Sequence, residues 1–156
     1  MKKVVFSIVV ALGGCLAFSG CIKHPVNQLT INPTMTATIG TTAFTALSVV
    51  PSVTTNQVND STTQLTITGN LELLQNTPGD QIILTITKYK NLTGTFSLVQ
   101  GQCTETYIHN GITSLGTSGI VSVTNITANS IIGYFSFATA DGYTISNGNF
   151  NVGKPF

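Results

Sequence analysis

The sequence predicts an all-β domain: a single antiparallel up-and-down meander of about eight strands, closing as a barrel or a β-sandwich. Three observations lead there. Charged residues make up only 7% of the 156-residue chain, against roughly 25% in ordinary globular domains, so threonine, asparagine, serine and glutamine must face water instead. Threonine is β-branched and suits a pleated, half-solvated surface. From Met35 onward apolar and polar residues alternate with period two, with no competing stripe of helical period. Turn residues punctuate that alternation at regular intervals.

Residues 1–20 have the layout of an export signal. Lys2 and Lys3 form a positive start, an apolar run extends from Val4 to Phe18, and Ser19 and Gly20 make a small-residue exit. The run falls short of the roughly 20 apolar residues that span a bilayer. Ser19, Gly20 and Cys21 resemble the lipobox of bacterial lipoproteins, with Phe18 where leucine is usual. In that motif the cysteine takes a thioether-linked diacylglycerol and becomes the acylated N-terminus. A second frame, Leu12 to Cys15, would leave a shorter apolar run. Cys21 is thus the expected lipid anchor, since two or three acyl chains hold a protein firmly where one does not. Residues 21–34, with Pro25 and Pro33 and no clear period, read as a tether. The all-β domain is expected over 35–156, long enough to bury about two thirds of its unfolded surface.

Within that domain the strand candidates follow one another. In "QLTITGNLEL" Leu65, Ile67, Leu71 and Leu73 share one parity, and Gly69 falls on the same face, where it implies a bend or a close backbone approach. A turn at Pro78 and Gly79 leads into "QIILTITK", with Ile82, Leu84 and Ile86 inward, and "TFSLV" and "GIVSVTNI" supply further strands. Asn110 and Gly111 are a strong hairpin signal. For the closing hairpin, register requires Phe137 to face Ile145, so the loop must be the three residues Ala140 to Gly142. The apolar parity then switches between Ile145 and Phe150, which predicts a β-bulge near Asn147 and Gly148. The stretch 41–50 reads as a strand, and 51–62 as a loop or short edge strand.

"MTATIGTTAF", "LTITG" and the closing "GYFSFATADGYTISNGNFNV" resemble a family of small lipoproteins of Bacteroidetes-type bacteria, domain of unknown function 6252. The resemblance covers nearly the whole mature chain and implies an exported all-β lipoprotein without assigned catalytic residues. In such bacteria surface-displayed lipoproteins often carry acidic residues after the lipidated cysteine, whereas here "IKHPV" is basic, and an aspartate that retains a protein at the inner membrane is missing. The implied location is the outer membrane, with the domain facing the periplasm. The resemblance also points to "DST", Asp60 to Thr62, as an O-glycosylation acceptor, modified at Ser61.

Little in the chain carries catalytic chemistry. Without Lys2 and Lys3 four lysines stand against five carboxylates, a net charge of −1 with no arginine, so there is no footprint for nucleic acid. With Cys21 acylated and Cys15 removed, Cys103 has no disulfide partner. Cys103 and His109 are the one thiol and one imidazole of the domain, a pair able to form a thiolate nucleophile. Six residues apart on a strand, they would lie about 20 Å from each other at roughly 3.3 Å per residue. Asp60, Glu72, Asp80, Glu105 and Asp141 stand singly, mostly near turns, without the facing pair a glycosidase needs. His24 is isolated in the tether, metal-ligand spacings are absent, and no cofactor is expected. The lysines of "KYK", Lys88 to Lys90, suit a solvated strand edge, and Tyr143 shares the core parity of Ile145. The expected function is a non-enzymatic envelope lipoprotein binding an apolar or glycan ligand, or an envelope-protein partner. The alternative is a hydrolase using Cys103 and His109.

Overall fold

Ten strands make one antiparallel sheet curled into a half-barrel, with no helix among the described residues. The computed structural model describes residues 32–56, 62–71, 79–90 and 92–155. In chain order the strands are β1 (Thr34–Ile39), β2 (Thr42–Thr45), β3 (Ser48–Asn56), β4 (Thr62–Leu71) and β5 (Asp80–Tyr89). They continue as β6 (Gly94–Ser97), β7 (Cys103–His109), β8 (Ile112–Ile126), β9 (Ser130–Thr139) and β10 (Thr144–Gly153). Neighbours in the sheet run β2, β1, β10, β9, β8, β7, β5, β4, β3, with β6 also on β8.

The ten segments trace eight paths, the number expected from the sequence. β2 and β3 are one path broken at Ala46 and Leu47. The Ala46 amide donates to the Met35 carbonyl of β1, and the Leu47 amide donates to the Asn70 carbonyl of β4. A single chain segment is therefore the partner of both ends of the meander. β6 and β7 are the second broken path. Thr106 pairs with Leu115 while Phe96 pairs with Val121, so four extra residues lodge between two ladders on the same strand. They stand out in the five-residue loop 98–102 between β6 and β7. Its neck is closed by the Gln102 amide donating to the Ser97 carbonyl and the Ser97 amide donating to Gln102 Oε1.

The core follows the alternation read in the sequence. Leu65, Ile67, Ile82, Leu84, Ile86, Phe135, Phe137 and Ile145 are all buried, each contributing about 1.5–3 kcal/mol by leaving water. Gly69 allows Met35 to close over it: a Cβ there would lie 2.5 Å from the Met35 sulfur. Of the two expectations for 51–62, the edge strand is the one found over 51–56, longer than expected because it begins at Ser48, while 57–61 lie outside the described residues. β3 pairs with β4 along its whole length, Pro51 facing Ile67. Proline survives there because β3 has a ladder on one side only, so its missing N–H costs no pairing.

Both sharp turns form as the sequence requires. Asn110 (φ 49°) and Gly111 (φ 79°) join His109 to Ile112 in a two-residue left-handed loop. Phe137 pairs with Ile145 across Ala140–Gly142, with Gly142 at φ 85°. The register of β10 against β9 then shifts between Ile145 and Gly148, with Asn147 at φ 50°. That bulge brings Phe150 onto the core face beside Phe135, ring centroids 6.5 Å apart.

The bulge leaves Gly148 no room. A Cβ there would fall 2.6 Å from both the ring and the carbonyl oxygen of Phe135. Gly148→Ala is expected to lower stability by about 1–3 kcal/mol through overpacking, read as a lower midpoint in urea unfolding. An unchanged midpoint would show that the bulge relaxes freely.

Candidate functional site

Because the meander is antiparallel, the turns between its paired strands fall at two ends. One end collects the 40–41, 110–111 and 140–143 turns with the start of β5 and the end of β7. There the sheet opens into a cavity of about 460 Å³, within the range of small-molecule sites. Ile39, Phe44 and Leu71 supply apolar walls, and Asp80, Tyr107, His109 and Tyr143 bring polar atoms to it.

These four side chains converge because of parity. Ile82 pairs with Tyr107 and Gln81 with Ile108, so the next rung sets Asp80 against His109. Both continue the inward-facing sets of their strands, at the point where the interior meets water. Asp80 Oδ1 lies 2.6 Å from His109 Nδ1, and the Tyr107 hydroxyl donates to Asp80 Oδ2 at 2.7 Å. The amide nitrogen of Asn110 is 2.8 Å from His109 Nε2. A carboxylate only accepts, so His109 Nδ1 carries a proton toward Asp80. Tyr143 packs edge-on against Tyr107, centroids 5.0 Å apart at 76°. Burial, and then the hydrogen bond to Asp80, hold the Tyr107 phenol above its ordinary range. The arrangement suits recognition of a donor group by Asp80.

A second polar group lies in the core itself. Glu105 is only 1% exposed and shares a rung with Leu84 and Ile67. The Cys103 thiol is 3.3 Å from Glu105 Oε1 and 3.2 Å from the Phe96 carbonyl. Oε2 has no hydrogen-bond partner among the described residues. Gly116 on β8 makes room for this carboxyl, since a Cβ there would sit 3.2 Å from Oε2. Desolvation pushes Glu105 up to about 7, against the weaker effect of the thiol bond. Burial first, and then the Glu105 charge, push Cys103 up to about 12.

Cys103 and His109 are not brought together: they occupy opposite ends of β7, with the thiol directed to Glu105 and the imidazole to Asp80. Asp141 accepts a hydrogen bond from Ser114 at 2.5 Å beside the mouth. Of the tyrosines, Tyr89 is buried and Tyr134 is exposed, while Lys90 follows β5 at the end opposite the cavity. Cys21 and Ser61 lie outside the described residues. No group of three or more His, Cys, Asp or Glu that would hold a metal occurs among the described residues.

Glu105 sets a stability slope. Its folded pKa is raised, so the native state holds a proton that the unfolded chain has already lost above about pH 4.5. The native state therefore loses stability as pH rises from there to about 7, by about 3 kcal/mol at 1.36 kcal/mol per unit. Glu105→Gln is expected to flatten that part of the curve of unfolding free energy against pH. A wild-type curve that rises over this window would show Glu105 to be solvated or paired. No protein-family model, curated protein or solved structure matches the chain.

Proposed function

We propose that this chain is an exported lipoprotein, acylated at Cys21 and held at the outer membrane facing the periplasm. Its half-barrel serves as a non-enzymatic binding module for a small ligand with an apolar or glycan body. The observation that carries the binding role is the open cavity between Phe44, Leu71 and Tyr143, into which Asp80 and His109 bring hydrogen-bonding atoms. Apolar walls with a few convergent polar groups are the usual makeup of a ligand site. The non-enzymatic reading is supported by Cys103, buried, raised to about 12 and remote from His109, because a thiol that stays protonated is a poor nucleophile.

Orientation supports the membrane reading. β1 starts, and β10 finishes, at the end opposite the cavity, where Lys90 and Lys154 also lie. A chain moored through residues 21–34 would thus hold its lysine end toward the lipid headgroups and its mouth toward water.

Mass spectrometry of the processed chain is expected to find acyl chains on Cys21, with Cys21→Ser leaving the protein soluble after cell lysis; a free amine at an unmodified residue 21 would sink the anchor. Tyr143→Ala is expected to weaken by roughly ten-fold any small-molecule ligand found by NMR screening, consistent with the loss of one buried aromatic contact. Ligand-induced shifts confined to residues away from Asp80, His109 and Gly142 would refute the site.

A further inference from the structure

The geometry points to the chemical class of the ligand: we infer that the mouth takes an apolar body ending in a primary ammonium group. The inference rests on the mouth being a ligand site and adds the identity of the ligand's head. Its basis is charge. Among the described residues, Asp80 is the one formally charged residue lining the cavity, with no lysine or arginine beside it. His109 turns Nδ1 to the Asp80 carboxylate and Nε2 to the Asn110 side-chain amide. Tyr107 spends its hydroxyl proton on Asp80. Asp141, next to Gly142 in the rim, adds a second carboxylate, bonded to Ser114. The mouth therefore gathers two carboxylates beside an apolar lining, with no lysine or arginine among the described lining residues.

An ammonium group entering the mouth meets the Asp80 carboxylate, which accepts from Tyr107 and His109 and still has acceptor sites to spare. A carboxylate or phosphate head meets repulsion from Asp80 and Asp141 instead. A hydroxyl satisfies the hydrogen bond but gains nothing from the charge. Hydrogen bonds involving a charged partner are about twice as strong as neutral ones. Ring edges and faces of Tyr107, His109 and Tyr143, all within 6.1 Å of one another, add an environment that favours a cation over an anion. Ile39, Phe44 and Leu71 then hold the apolar body.

The test uses three probes of one shape, benzylamine, benzyl alcohol and benzoate, and a sugar, methyl β-glucoside, each titrated into the full chain by protein-observed NMR. Benzylamine is expected to bind roughly ten-fold tighter than benzyl alcohol, with shifts at His109, Gly142 and Thr144, and benzoate weakest of all. Asp80→Asn should remove that preference by weakening benzylamine alone, and His109→Gln should do so as well if Asp80→Asn fails to fold. Equal binding of the three aromatic probes, or preference for benzoate or the glucoside, would leave a ligand site but overturn the ammonium head. Binding of none of the four would overturn the ligand site and this inference with it.

Discussion

Two backbone hydrogen bonds hold the architecture together: Ala46 to the Met35 carbonyl and Leu47 to the Asn70 carbonyl. A meander of antiparallel strands otherwise ends in two exposed edges, each a template for pairing with another chain. Here the second path turns a corner, so that its first half satisfies β1 and its second half satisfies β4. Curling the sheet this way also gives the alternating apolar residues one common interior. The greasy side of every strand then faces the same space, and the threonine-rich side faces water. The low charge content of the chain follows, because hydroxyls and amides rather than lysines and glutamates cover the outside.

Much of this architecture was legible along the chain, because local rules dominate antiparallel sheets. The closing hairpin shows it best. Only a three-residue loop keeps Phe137 and Ile145 on one face, and only an added residue near Asn147 returns Phe150 to it; both devices are present. What escaped the sequence depended on neighbours distant in the chain. Pro51 and the polar residues after it look like a loop until β4 is known to flank them on a single side. The candidate site was hidden for a similar reason. Asp80 and His109 have 28 residues between them, and β6 with its protruding loop intervenes, so nothing local announces that β5 and β7 are neighbours. Had that pairing been assumed, the inward parity of Ile82 and Tyr107 would have placed Asp80 opposite His109 one rung on. The Cys103 and His109 pair is the converse case: proximity in sequence on a strand enforces separation in space.

Glu105 is the one fully buried carboxyl among the described residues. Replacing its rung position by leucine would suit the neighbours Leu84 and Ile67, yet the chain places an ionisable group there, with Gly116 cut back to admit it. Burying a carboxyl with half its acceptor capacity unmatched is costly, and the raised pKa is how the fold lessens that cost, by keeping the group protonated further up the pH scale. The thiol of Cys103 provides a soft, weak donor to the one satisfied oxygen. Polar groups in the molecule thus come in two settings, one dry and nearly closed around Glu105, the other wet and accessible around Asp80.

The excursion over residues 98–102 has a practical implication. Its neck is zipped by Gln102 against Ser97, and the ladders on either side bond to β8 independently of what lies between them. Val99 at its tip is 77% exposed. Lengthening such a loop costs only about 0.6 kcal/mol per doubling. A fluorophore tag or an epitope spliced at Val99 and Gln100 would therefore ride on the barrel wall, away from the mouth.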